Sequence, residues 1–199
     1  MQQKPSPDTF VGILLAAGSG SRFDASGRRN KLLQTLPGGD EVAVASAKVL
    51  LAALPAVIAV IRPGNEQLGV RLKEAGCIVT TCPDAGEGMA ASLVHGLREA
   101  PAARGWVLAL ADMPFVRPGT VSVLAEAVEK GATIAAPYVN GRRGNPVAFA
   151  RVHLDELLAL HGDEGARRLL VSHPVTAVEV DDPGILRDID TPGDLPSPD

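Results

Sequence analysis

The segment from Phe10 to Arg22 constrains the fold more than any other stretch. Phe10 to Ala17 is apolar throughout and reads as a buried strand. It runs directly into Gly18-Ser19-Gly20-Ser21, with Arg22 closing the loop and Lys31 following a polar gap. A strand that breaks into a small-residue turn presents backbone N–H groups in a concave row, and such a row takes up phosphate oxygens. Two cations at the rim add charge-assisted hydrogen bonds to the same anion. The stretch predicts a nucleoside triphosphate site, against the plain alternative of a tight turn with no ligand. It is not a Walker A loop, because no G-x-x-x-x-G-K-[ST] is present. It misses the dinucleotide fingerprint as well, since Phe23 stands where a third small residue would allow close helix–strand packing. Asp40 and Glu41 lie near the distance of a ribose-binding acid, but Pro37-Gly38-Gly39 precedes them and no clear strand delivers them.

Further along, apolar runs alternate with stretches of helical spacing. Strands are expected at Ala56 to Ile61, Cys77 to Thr81, Trp106 to Ala111, Ala132 to Pro137, Val147 to Ala150 and Val175 to Val180. Helices are expected from Glu41 to Leu54, from Asn65 to Ala75, from the glycines after Cys82 to about Ala100, and from Pro118 to Lys130. Two more follow, one from Val152 to Leu160 and a last one capped by Asp163 and running through Val171. Continuous rather than alternating apolar strands, each followed by a helix, imply a mostly parallel sheet covered on both faces. The expected architecture is a three-layer α/β/α sandwich around a Rossmann-like sheet. Residues 1–199 are read as one domain, with 1–9 and 196–199 as loose ends.

Composition excludes several classes. Aromatics are only 3% and net charge is −4, which disfavours nucleic acid as a partner. No apolar run reaches membrane-spanning length and Met1 to Thr9 is polar, so a soluble cytoplasmic protein is expected. Cys77 and Cys82 have no His nearby in sequence and read as two partly buried thiols rather than a zinc site.

Ligands of open parallel sheets bind outside the carboxyl ends of the strands. Three loops converge there: Gly18 to Arg22, Gly86 to Ser92, and Asp112 at the end of the Trp106 run. A carboxylate ending a buried strand needs a partner. Asp112 is therefore a candidate Mg²⁺ ligand, the alternatives being a helix cap or a pairing with Arg. Asp188 and Asp190 point the same way if extended, and one of them could supply a second ligand. Arg142 and Arg143, in a glycine loop, suit a second anionic substrate or a solvated hairpin tip. His95, His153, His161 and His173 lack metal-ligand spacing and a Ser or Cys partner, which makes them helix-surface residues.

Leu15-Ala16-Ala17-Gly18-x-Gly20-x-Arg22 with Lys31 resembles the signature of nucleotidyltransferases with the MobA-like fold. Gly88-Met89-Ala90-Ala91-Ser92-Leu93, Ala111-Asp112-Met113-Pro114, Gly141-x-x-Gly144-Asn145-Pro146-Val147-x-Phe149, Gly162-Asp163-x-Gly165-Ala166-Arg167 and Asp188-Ile189-Asp190-Thr191-Pro192-x-Asp194 look like the molybdenum cofactor cytidylyltransferase branch. The resemblance covers about residues 10 to 195. It implies Mg²⁺-dependent transfer of CMP from CTP to the phosphate of a molybdopterin-type cofactor, with release of pyrophosphate. It implies Arg22, Lys31 and Asp112 as catalytic residues, and Asp112 and Asp190 as metal ligands. Leu15, Ala16, Ala17, Gly18, Ser19, Gly20, Ser21, Pro83, Gly88 and Ser92 would bind the nucleotide. Arg142, Arg143, Gly144, Asn145 and Arg167 would hold the acceptor, and a molybdoenzyme or its chaperone would be a protein partner. Ala17 matches cytidylyl relatives, where guanylyl relatives more often carry Leu-Ala-Gly-Gly. The loop between Arg22 and Lys31 is longer than usual, and its Arg28 and Arg29 would face substrate. Asn145 stands where His is expected. Relatives acting on other acceptors share most of these motifs, so guanylyl transfer, NAD(P)H-dependent reduction of a heterocycle, and cofactor delivery without turnover are the alternatives.

Overall fold

The central strands are buried on both faces, and their side chains divide accordingly. In β1 (Phe10–Ala16) Phe10, Leu14 and Ala16 face one hydrophobic cluster, while Val11 and Ile13 face another. The same alternation divides β2 (Ala56–Ile61) and β4 (Gly105–Leu110). Period-two alternation between two buried faces is why these strands read as unbroken apolar runs. The computed structural model describes residue 6 and residues 8–26, 28–163 and 165–196; residues 1–5, 7 and 197–199 of the expected loose ends lie outside it.

The helices α1 (Val42–Leu51), α2 (Glu66–Glu74) and α4 (Pro118–Glu129) cover the first face. The helices α3 (Met89–Glu99), α5 (Leu154–Leu158) and α6 (Arg167–Ser172) cover the second. With β3 (Ile78–Thr81), β5 (Ile134–Val139), β6 (Arg142–Arg143), β7 (Val147–Ala150) and β8 (Thr176–Glu179), the strands form one eight-stranded sheet of order β3-β2-β1-β4-β7-β5-β6, with β8 beside β5. Strands β3, β2, β1 and β4 are mutually parallel. β7 inserts antiparallel between β4 and β5, and β8 returns parallel to β5. The expected three-layer, mostly parallel α/β/α architecture is thus present, with an antiparallel patch at one side.

Two local expectations are corrected. Asp163 does not cap α6: that helix starts at Arg167 behind Ala166, and no side chain caps it. Thr9 is not a loose end. Its hydroxyl donates to the Ser6 carbonyl at 2.9 Å and its own carbonyl accepts from Arg104 N–H at 3.0 Å. No helix among the described residues is long and apolar enough to cross a membrane.

Candidate active site

The carboxyl ends of β1 and β4 lie side by side because the two strands pair from Phe10↔Gly105 to Leu15↔Leu110. Past that register, Ala111 N–H donates to the Leu15 carbonyl at 3.1 Å, so Asp112 emerges beside the start of the glycine loop. Ser46 on α1 donates to the Ala111 carbonyl at 2.9 Å, which holds the same turn from beneath. Among the described residues, no hydrogen bond satisfies the backbone N–H of Ser19, Gly20 or Ser21. Gly20 adopts φ +66°, a left-handed conformation that lets the loop reverse. Phe23 and Asp24 then donate back to its carbonyl at 2.9 and 3.2 Å. The buried Phe23 ring anchors the end of the turn in the core.

Lys31 is delivered by a short 3₁₀ turn. Asn30 caps that turn, its side chain accepting from Leu32 N–H at 3.0 Å, and buried Leu32 pins it. The C-terminal segment supplies the remaining carboxylates. Asp182, 2% exposed, accepts from Arg117 N–H at 2.8 Å, from the Thr120 hydroxyl at 2.6 Å and from Gly184 N–H at 3.0 Å, which fastens the segment to α4. Ile189 then pairs through its N–H with the Asp112 carbonyl at 2.9 Å and buries its side chain. In an extended segment the flanking Asp188 and Asp190 must point the other way, toward the loop. Asp194 accepts from Asp190 N–H at 3.2 Å and from Thr191 N–H at 2.7 Å. The Thr191 hydrogen bonds hold the Asp194 carboxyl below its ordinary range.

The charges meet in one cluster. Lys31 Nζ donates to Asp112 Oδ2 at 2.6 Å and to Asp190 Oδ1 at 3.2 Å. Arg22 Nη1 donates to Asp190 Oδ2. These groups border a crevice of about 640 Å³, lined by the loop from Ala17 to Arg22 together with Leu15, Lys31, Gly88, Ser92, Asp112 and Asp190. The cations lining it are Arg22, Lys31 and Arg62, against Asp112, Asp163, Asp188 and Asp190. A triphosphate entering a crevice with no surplus of positive charge needs a further cation. Asp112 Oδ1 is buried and has no hydrogen-bond partner among the described residues. Leaving such a group unsatisfied costs about 1–3 kcal/mol, more for a charged one. The donor set therefore fits a hard divalent ion, which takes one or two carboxylates plus phosphate oxygens.

A second cavity of about 510 Å³ adjoins the first and shares Leu15, Met89, Leu110 and Asp163 with it. Leu93, Leu108, Val147, Phe149 and Leu170 make its apolar wall, and Arg143, Gly144, Asn145 and Arg167 its polar rim. Gly144 and Asn145 are held by bonds from their N–H groups to the Pro137 and Ile185 carbonyls, at 2.9 and 3.0 Å. Gly88 lines the crevice just before the start of α3. Its φ is +117°, and a Cβ there would meet the Gly162 carbonyl oxygen at 2.5 Å and Asp163 Oδ1 at 2.6 Å. Only glycine lets the 162–163 loop lie this close.

Four expected site residues stand elsewhere. Ala16 is in the core, because alternation turns it away from Leu15. Pro83 is exposed and lines neither cavity, the chain turning outward after buried Cys82. Arg142 opposes Val139 in the hairpin and lines neither cavity, while its neighbour Arg143 lines the second. Arg29 does not face the crevice: its guanidinium lies 5.3 Å from the Phe23 ring centroid and donates to Gln34 Oε1 at 3.1 Å. Sequence reasoning missed Arg62, although its place after β2 at the carboxyl edge was a usable signal. It also misread one histidine as a surface residue. His153 is 4% exposed, and it and His173 both bond Glu156.

A mixed sheet whose parallel strands end at a glycine loop, two cations and paired carboxylates defines a nucleotidyltransferase of the Rossmann-like α/β class. Residues 12–177 match the MobA-like NTP transferase domain, and the chain belongs to that family. It is similar to the purine catabolism protein PucB of Bacillus subtilis, 30% identical over 195 residues that cover 92% of each chain. In structure it is similar to Rv0371c of Mycobacterium tuberculosis, with TM-score 0.82, 29% identity and 96% of each chain covered. A manganese complex of that protein gives TM-score 0.74 at 28% identity, covering 94% of this chain and 95% of that one. A nucleotidyl transfer enzyme from Methanothermobacter gives TM-score 0.79 at 25% identity, covering 94% of each.

Proposed function

We propose that this nucleotidyltransferase moves CMP from CTP to the phosphate of a molybdopterin-type cofactor, releasing pyrophosphate in a Mg²⁺-dependent reaction. One observation carries the reading. The crevice under the glycine loop, with Lys31 shared between Asp112 and Asp190, opens into an apolar cavity rimmed by Arg143, Asn145 and Arg167. A triphosphate suits the first space. A flat heterocycle carrying an anionic group suits the second, where apolar walls supply contact area and a few polar groups fix orientation. The preference for CTP rests on Ala17, which the loop places against the crevice.

An acceptor phosphate oxygen attacks the α-phosphorus, the new P–O bond forms, and the bond to pyrophosphate breaks. The nucleophile is already anionic at neutral pH, so no side chain has to remove a proton. The obstacle is repulsion between anions, and catalysis is mainly positioning and electrostatic stabilisation. The N–H groups of Ser19 to Ser21 point donors at the phosphates, and Arg22 and Lys31 neutralise the charge that develops on them. Asp112 and Asp190 would hold the divalent ion, which supplies Lewis-acid polarisation and a template when bound. Arg143, Asn145 and Arg167 orient the acceptor against the shared wall.

The test is to incubate the protein with CTP or GTP and Mg²⁺, with and without the pterin acceptor. Pyrophosphate formed only with CTP and acceptor together is the expected result. Turnover with GTP alone among nucleotides would make it a guanylyltransferase. Tight pterin binding without pyrophosphate would make it a delivery module, and NAD(P)H oxidation a reductase.

A further inference from the structure

Beside Phe149, whose ring meets that of His153, three metal-binding side chains converge from three elements. His153 ends the 3₁₀ turn before α5, Glu156 lies on α5, and His173 follows the last residue of α6. Glu156 Oε1 lies 3.2 Å from His153 Nδ1, and its Oε2 lies 2.7 Å from His173 Nε2. The imidazole rings meet edge-on with centroids 4.6 Å apart. One ligand atom from each of the three residues lies within 4.8 Å of the other two. His153 is 4% exposed and turns its Nδ1 to Glu156, while its Nε2, on the other edge of the ring, is buried without a hydrogen-bond partner among the described residues.

We infer that His153, Glu156 and His173 form a second metal site, for a borderline transition-metal ion of the Zn²⁺ type, distinct from the Mg²⁺ site of the crevice. The geometry is close to what such an ion requires. Tetrahedral Zn²⁺ with bonds of 2.0–2.1 Å sets its ligands about 3.3 Å apart. One Glu156 oxygen lies 3.2 Å from His153 Nδ1 and the other 2.7 Å from His173 Nε2, and with one ligand atom per residue the set spans no more than 4.8 Å, so a modest contraction reaches that spacing. The donor chemistry separates the two sites. Two imidazole nitrogens and one carboxylate suit Zn²⁺ and its neighbours, whereas Mg²⁺ keeps to oxygen ligands and water. The three ligands leave a fourth position for water. The site also has a structural consequence. Phe149 lines the second cavity, and its ring meets His153 edge-on at 6.3 Å. α6 carries Arg167 and Leu170 of the same cavity. An ion held by the turn before α5, by α5 and by the end of α6 ties α6, which lines this cavity, to α5.

The experiment titrates metal-stripped, full-length protein with Zn²⁺ in millimolar Mg²⁺, against a chromophoric chelator. One Zn²⁺ per chain is expected, with an N/O shell at about 2.0–2.1 Å by X-ray absorption. Glu156 and His173 are partly exposed, so E156Q and H173Q should fold; each should weaken Zn²⁺ binding by about 10²-fold or more, beyond the loss of an outer-shell partner. D112N, which alters only the crevice, should bind Zn²⁺ as tightly as the unaltered protein. Equal Zn²⁺ affinity in H173Q and the parent would overturn the inference. So would loss of Zn²⁺ in D112N, or no binding above Mg²⁺. None of these outcomes depends on which nucleotide or acceptor the enzyme uses.

Discussion

The crevice beneath the glycine loop is walled by loops leaving parallel strands, and the cavity beside it by β4, the antiparallel β7, and residues of α3 and α6. In the first, charges are paired across the chain: Lys31 to Asp112 and Asp190, and Arg22 to Asp190. In the second, leucines, Val147 and Phe149 form the wall, and the arginines stand at the rim. The two spaces share Leu15 and Leu110, the last residues in register on β1 and β4. The difference shows how one sheet edge serves two ligands. Parallel strands end in loops whose free donors and carboxylates suit phosphate. The antiparallel insertion of β7 next to β4 provides a flat apolar wall that a parallel strand end does not.

That contrast can be broken from the charged side first. Asp112→Asn should abolish Mg²⁺-dependent pyrophosphate release while the thermal melt shows the fold retained; full activity in this variant would remove Asp112 from the metal site. Lys31→Ala and Arg22→Ala should each lower turnover on the order of 10²-fold or more, the usual cost of losing an oxyanion donor. Steady-state rates at saturating CTP check this, and wild-type rates in either variant would take it out of the mechanism. On the apolar side, Arg143→Ala or Arg167→Ala should raise KM for the acceptor about 10-fold with KM for CTP unchanged, the pattern of lost uniform binding. A matching rise in KM for CTP would mean the two spaces are not separate. The smallest effect is expected in the core, away from both spaces. Burial pushes the Cys77 thiol up to about 12. The thiolate is the reactive form, so a thiol reagent near pH 8 should leave Cys77 unlabelled in the native protein and label it once unfolded.

Much of the crevice was legible because its residues announce themselves locally. A buried strand must be apolar on both faces, so Phe10 to Ala17 and Trp106 to Ala111 stand out, and Asp112 is conspicuous as the charge that ends one of them. The glycines of the first loop mark a turn that few other residues permit. Asp188 and Asp190 read as a pair because extended backbone repeats every two residues. Less was legible where a residue's role depends on what lies opposite it. Asp163 looked like a helix cap and instead lies over Gly88, where its loop meets the start of α3. Arg142 and Arg143 look alike in sequence, and strand alternation puts only Arg143 at the cavity. His153 and His173 have no metal spacing along the chain, yet the α5–α6 packing brings both to one carboxylate.

The amino-acid sequence alone determined the strands, their burial and the loops that end them, because backbone conformation and two-sided burial depend on neighbouring residues. The tertiary structure alone decided which carboxylate answers Lys31, where β7 inserts and which imidazoles meet. Those depend on contacts between residues 81 and 159 positions apart in the first case, and on the packing of separate helices and strands in the others. No local preference encodes such distances.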